Sequence, residues 1–228
     1  MPKSRTLPSR SKAHVLRSYR SRGKANRNLW LVYSQKTNRD WILNSDRHLV
    51  HWAKYLETNP DVRTFVIQPD GIEASHETGG PPKNVDASAE LGSGELEYHV
   101  LNFSATLEQG NSSFYSRYSA NDGRIRIFSE ADLFPLGEET MRWVKLLNYC
   151  AAIRDEMHSE ATLACIAAMR QIDKGTLGQV IQQLPNFDSQ IVIGIFSRMV
   201  IKNDIFINLA SSSFNLMTQW TWRDRNVI

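Results

Sequence analysis

Two short stretches hold the side chains best suited to chemistry. One is the run Ser45-Asp46-Arg47-His48-Leu49-Val50-His51, and the other reaches from Asp86 to His99. Alternation along 95–103 sets Glu95, Glu97, His99, Leu101 and Phe103 on one face of a strand, with Leu96, Tyr98, Val100 and Asn102 on the other. If the chain brings His48, Asp86, Glu97 and His99 together, two imidazoles with a carboxylate suit Zn²⁺ or Mn²⁺ better than Mg²⁺. Each residue also has an ordinary reading. His48 follows Ser45 by three residues and faces solvent from a first helical turn, and His51 is a surface residue of the same helix. His99 is a satisfied histidine in a half-buried strand. Asp86 borders a Pro- and Gly-rich stretch and serves as a turn or cap residue. Glu95 and Glu97 form a solvated strand edge that blunts aggregation.

Charge supplies a second set of candidates. Residues 1–27 carry Lys3, Arg5, Arg10, Lys12, Arg17, Arg20, Arg22, Lys24 and Arg27 and no acid. Removing those nine from the 27 basic residues leaves 18 against 24 acids over 28–228, so a formal +3 hides a basic arm on a mildly acidic body. The arm is interleaved with Ser, Gly and Asn, and it is expected to be flexible when free. It suits contact with phosphate backbones, where each neutralised phosphate adds salt-sensitive affinity. A solubilising or targeting tail is the plain alternative. Arg17 and Arg20, with Lys36 and Arg39 in a turn, are the candidate DNA contacts, although a solvated turn explains the last two equally well. Cys150 and Cys165 are the only cysteines and sit in apolar helical surroundings. Reduced buried thiols are expected, with a mutual disulfide as the alternative. No apolar run approaches the ~20 residues of a bilayer span, and the basic N-terminus lacks the apolar core of a secretory signal. A cytoplasmic protein with no membrane partner is the expectation.

The elements that must position these groups are readable. Leu29–Ser34 and Arg39–Asn44 predict a two-stranded piece around a turn at 36–39. Ser45 is a good N-cap for a helix over 46–58, whose Leu49, Trp52, Ala53 and Leu56 form one apolar stripe. Asn59-Pro60-Asp61 ends it. Trp30, Trp41 and Trp52 fall in periodic apolar segments and read as core. A buried strand over 62–68 closes at Pro69. Residues 70–94 read as loop with one short strand over 85–91, 110–122 as helix or loop, and 125–128 as a strand leading into a helical turn capped by Ser129. From Leu136 onward the pattern is helical over 138–154, 159–171, 176–184 and 188–201. Strands over 205–209 and 214–222 follow. Short helices followed by a β-ribbon have the layout of a winged helix. The helix over 188–201 would be its reading helix, but with only Arg198 and Lys202 as bases it fits core or protein docking better than groove reading. A boundary near 134–138 divides a mixed α/β part, 28–135, from this helical part, 136–228.

A YS-x-KT-x-R turn (Tyr33, Ser34, Lys36, Thr37, Arg39) precedes a helix beginning Ser45-Asp46, and a V-x-x-F-x-x-QP strand runs from Val62 to Pro69. Over 29–69 the chain thereby resembles TnsA, the endonuclease subunit of heteromeric transposases. The outline continues over 84–103, through Ile125–Leu133 and into the C-terminal helices. The resemblance implies a restriction-endonuclease-like α/β fold, a mixed sheet flanked by helices. It also implies Mg²⁺- or Mn²⁺-dependent cleavage of the 5′ strands at transposon ends. The implied partners are transposon-end DNA, a companion integrase-type transposase and an ATPase regulator of transposition, in a bacterial, nucleoid-associated setting. The implied catalytic positions are Asp86, which also falls where the family binds metal, His48 in place of a helix acid, and His99. Leu101 stands where the family carries lysine. Leucine neither ligates a cation nor moves a proton, so a non-catalytic DNA-binding and docking adaptor is the alternative.

Overall fold

The computed structural model describes residues 28–69, 73–76, 83–102, 118–119 and 123–223. Arg17, Arg20 and the rest of the basic arm lie outside these, as does most of the helix-or-loop expected over 110–122.

The chain enters an antiparallel hairpin of β1 (Trp30–Ser34) and β2 (Arg39–Leu43), in register from Trp30↔Leu43 to Ser34↔Arg39. Asn38 adopts φ 50° in the turn, where asparagine is tolerated, and accepts a 2.8 Å bond from the Tyr33 hydroxyl. Ser45 caps α1 (Asp46–His51) as expected, its hydroxyl accepting from the His48 amide at 3.3 Å. The helix continues without a break as a π-helical segment, Trp52–Glu57. Thr58 closes that segment by donating its amide and its hydroxyl to the Ala53 carbonyl.

The central sheet is mixed and four-stranded. Its members are β3 (Val62–Ile67), β6 (Ala87–Leu91), β7 (Leu96–Asn102) and β9 (Arg124–Ser129), in the order β3-β6-β7-β9. The first three are antiparallel neighbours, and β9 runs parallel to β7. Short strands β4 (Glu73–His76), β5 (Lys83–Asn84) and β8 (Tyr118–Ser119) form a second small sheet. It occupies stretches expected to be loop or helix.

A short α2 (Glu130–Leu133) follows, capped reciprocally by Ser129 and Asp132, and a 3₁₀ turn (Phe134–Leu136) leads directly into α3 (Gly137–Ala152). Then come α4 (Ser159–Ile172), β10 (Lys174–Thr176), α5 (Leu177–Gln182), α6 (Ser189–Ile201), β11 (Ile205–Ile207) and β12 (Gln219–Trp222). The last sheet is ordered β10-β12-β11 and is antiparallel throughout. β10 escaped the sequence reading because three residues around a glycine look like a turn.

The main apolar core is one continuous cluster. It runs from Trp41 and Leu43 through Leu49, Trp52, Ala53 and Leu56 into Leu146, Leu147 and Cys150, and on to Phe196, Phe214 and Trp220. It therefore spans both sides of 134–138. Two smaller clusters cover the sheet's faces: Val85, Tyr98, Val100 and Ile125 on one, and Val50, Leu101, Phe128 and Leu133 on the other. Both cysteines are buried and unpaired, and burial pushes the Cys165 thiol up to about 12. Among the described residues no helix is long and apolar enough to cross a membrane.

Candidate functional site

Helix α1 packs on two sides at once, and this decides what its histidines do. With its π-helical continuation it lays the stripe Leu49, Trp52, Ala53 and Leu56 on the main core, while Val50 faces the cluster on the sheet with Leu101 and Phe128. His48 stays at the rim. Its Nδ1 shares a 2.6 Å hydrogen bond with the Ser45 hydroxyl, and its Nε2 lies 3.9 Å from Asp86 Oδ1. Both side chains remain partly open, 19% for His48 and 25% for Asp86. Asp86 sits just ahead of β6, pinned from both sides. Its amide donates to the His99 carbonyl at 2.8 Å, its carbonyl accepts from Gln68 at 2.8 Å, and its Oδ2 accepts from the Leu101 amide at 2.6 Å.

His51, expected on the surface, is buried at 3% exposure. One turn beyond His48 it enters the sheet side, which the apolar stripe alone did not reveal. Its Nε2 lies 2.8 Å from Nδ1 of His99, which has no exposed surface, and His99 Nε2 lies 2.7 Å from Oε1 of buried Glu97. The protons can be assigned from the network. An ionised carboxylate only accepts, so His99 carries its proton on Nε2, its Nδ1 accepts, and His51 donates from Nε2. Burial holds His51 well below the ordinary histidine value, reinforced by the neighbouring imidazole. Burial also lowers His99, against the opposing pull of Glu97. The bond from His99 draws the Glu97 carboxyl below its usual range. Phe128 covers the pair edge-on, its centroid 4.8 Å from that of His51 and 4.9 Å from that of His99.

Of the expected catalytic residues, His48 and Asp86 therefore face each other. His99 lies directly behind Asp86, with both ring nitrogens engaged elsewhere. The imidazole–carboxylate set suited to Zn²⁺ or Mn²⁺ is not brought together, and among the described residues no group of three His, Cys, Asp or Glu side chains converges on a point that could hold a metal. His48 and Asp86 supply two donors. That number fits only an ion that takes its remaining ligands from water and a bound phosphate.

The expected DNA contacts divide. Lys36 points inward, and its ammonium donates to the carbonyls of Leu56 at 2.9 Å, Val62 at 2.7 Å and Asn59. It thereby caps the open end of the π-helical segment. Burial depresses its pKa to about 8, opposed by buried Glu57. Glu57 accepts from the Ser34 hydroxyl at 2.6 Å and the Gln35 amide at 2.7 Å, and burial raises its carboxyl. Arg39 is exposed, its guanidinium 3.8 Å from the Trp41 ring centroid. Arg17 and Arg20 lie outside the described residues.

Tyr55 and Arg126 are two further residues of this face to which the sequence assigns no role. Arg126 lies opposite His99 in the β7–β9 register, stacked near Tyr55 and Phe128. The alternation Arg126-x-Phe128 was a readable signal that both lie on the face of His99. No family model matches the chain, and neither a curated protein nor a solved structure was found to be significantly similar to it.

Proposed function

We propose that this chain is a DNA-binding subunit of a transposition machinery of the TnsA kind. It holds transposon-end DNA and docks a companion integrase-type transposase and an ATPase regulator. In this reading a restriction-endonuclease-like part supplies the scaffold and a winged-helix-like part the docking body. Support comes from the four-stranded mixed sheet with α1 across it, and from Asp86 at a strand start facing His48. The order α4, β10, α5, α6, β11, β12 with a three-stranded sheet supports the second part. α6 is buried along most of its length, and Arg198 is turned onto the carbonyls of Ile153 and Glu156. Such a helix suits packing rather than groove reading.

One observation carries the non-cutting form. Leu101, where the resemblance expects lysine, is 6% exposed and packs with Val50, Phe128 and Leu133. The site thus lacks a group to move a proton or hold the phosphate at that position. The 3.9 Å approach of His48 and Asp86 favours a second reading, in which this pair holds Mg²⁺ or Mn²⁺ and the 5′ strands are cut. A bound cation would supply Lewis-acid stabilisation and an activated water. The chain's own contribution would be Asp86 held rigid by the Leu101 amide, and His48 oriented by Ser45.

The test is to assemble the full chain with the companion transposase and transposon-end DNA, with Mg²⁺ or Mn²⁺. Stable complexes without 5′ nicks are expected. Nicks that disappear with Asp86→Ala would establish the cutting form instead. A chain that neither holds the DNA nor joins the complex would sink both.

A further inference from the structure

We propose that Arg126 is a prepositioned phosphodiester-binding group beside the His48–Asp86 pair; this rests on the DNA-binding reading above. Arg126 projects from β9 opposite His99, and its guanidinium carbon lies 5.0 Å from the Tyr55 ring centroid and 4.8 Å from that of Phe128. Its one ion pair among the described residues is a long 3.6 Å approach to Glu97 Oε1, while that same oxygen takes a 2.7 Å bond from His99. Glu97 is thus held chiefly by the histidine chain and also steers the arginine from one side. The side chain is 41% exposed, so an arginine that carries five N–H donors is open to a ligand at this face.

Two aromatic rings and a fixed carboxylate have already restricted the rotamers of this side chain. A ligand therefore meets a guanidinium whose ordering cost is largely met by the fold. The fork geometry matches two oxygens of a phosphate, which an ammonium cannot do. Location supports the assignment. Ala87, His99 and Arg126 lie abreast on β6, β7 and β9, and Asp86, next to Ala87, donates its amide to the His99 carbonyl, so Arg126 and Asp86 flank β7 at the same level. A strand laid along this rim would meet Arg126 and the His48–Asp86 pair together. Arg124, two residues earlier, is 57% exposed and pairs with Glu95 at 3.4 Å.

The experiment measures binding of the full chain to a labelled duplex across a salt series. Arg126→Gln is expected to weaken binding about five- to tenfold and to flatten the salt slope by about one phosphate. Arg126→Lys, which keeps the charge and guards against a folding defect, should fall between, and Arg124→Gln should match the wild type. If Arg126→Gln binds with wild-type affinity and slope, the assignment is overturned while the DNA-binding reading stands. A wild type that holds no duplex overturns that reading and the assignment with it. Inorganic phosphate is the second arm. Should it raise the melting midpoint of the wild type but not of Arg126→Gln, with duplex binding equal in both, the group serves a free phosphate and the phosphodiester assignment fails.

Discussion

At the scale of single residues, Lys36 and Leu101 show how burial overrides chemical type. Lys36 sits in a turn and reads as a phosphate contact, yet its ammonium closes three backbone carbonyls at the end of the π-helical segment. Lys36→Met leaves those acceptors and buried Glu57 without their cation. The expected cost is about 2–4 kcal/mol in urea unfolding. DNA affinity of the folded fraction should not change, whereas a phosphate-contact role would give the opposite pair of results. Leu101→Lys tests whether the expected lysine can be restored. The ammonium would enter the cluster of Val50, Phe128 and Leu133, so unfolding rather than rescued cleavage is expected. A variant that folds with wild-type stability and gains nicking would contradict the burial argument.

At the scale of elements, what was legible was local. Ser45 and Ser129 cap their helices as the sequence indicates, and Thr176 and Asp188 do the same, because capping needs only a side chain and amides two or three residues away. The strands β3, β6, β7 and β9 were readable from alternation and apolar runs. The inward turn of His51 and the role of Lys36 were not, because both depend on partners far along the chain: His99 and the carbonyls of Leu56, Asn59 and Val62. Helix α1 looked one-sided from its strongest stripe, although its second packed face meets the sheet. Close packing of α6 gives a checkable contrast. A methyl at Gly194 would meet three Ile153 atoms at 2.7–2.9 Å, so Gly194→Ala should cost about 1–3 kcal/mol. At Gly137, in helical geometry at the start of α3, nothing lies within 4 Å of the added carbon, and Gly137→Ala should add about 0.4–1 kcal/mol. Thermal melts of the two variants should shift in opposite directions, and a tolerated Gly194→Ala would mean that α6 and the α3–α4 connection are less tightly joined.

At the scale of the whole molecule, the buried imidazoles tie global stability to mild acid. His51 and His99 are held neutral between α1, β7 and β9, with Tyr55, Phe128, Arg126 and Glu97 facing them and His48 and Asp86 beyond. Both have folded pKa values below the ordinary 6.5, chiefly through burial. Below that pH the unfolded chain takes up protons that the folded chain refuses. Their contribution is therefore complete above about pH 6.5 and is lost as pH falls, with a limiting slope of about 1.4 kcal/mol per pH unit for each group. Glu97 has the same sign but acts lower, because its depressed carboxyl loses its contribution only below the ordinary value of 4.5. Buried Glu57 has the opposite sign, because its raised carboxyl adds stability as pH falls, so urea midpoints from pH 7.5 down to 5 are compared between the wild type and a variant lacking one imidazole. His51→Leu removes one of the two groups and leaves Glu57 in place, so the stability difference between wild type and variant should narrow as pH falls from 6.5 to 5, by up to about 1.4 kcal/mol per pH unit. A difference between the two that stays constant across this window would show that His51 takes up its proton in the fold as readily as in water. That result would contradict a sealed α1–sheet contact, and with it the fixed carboxylate that steers Arg126.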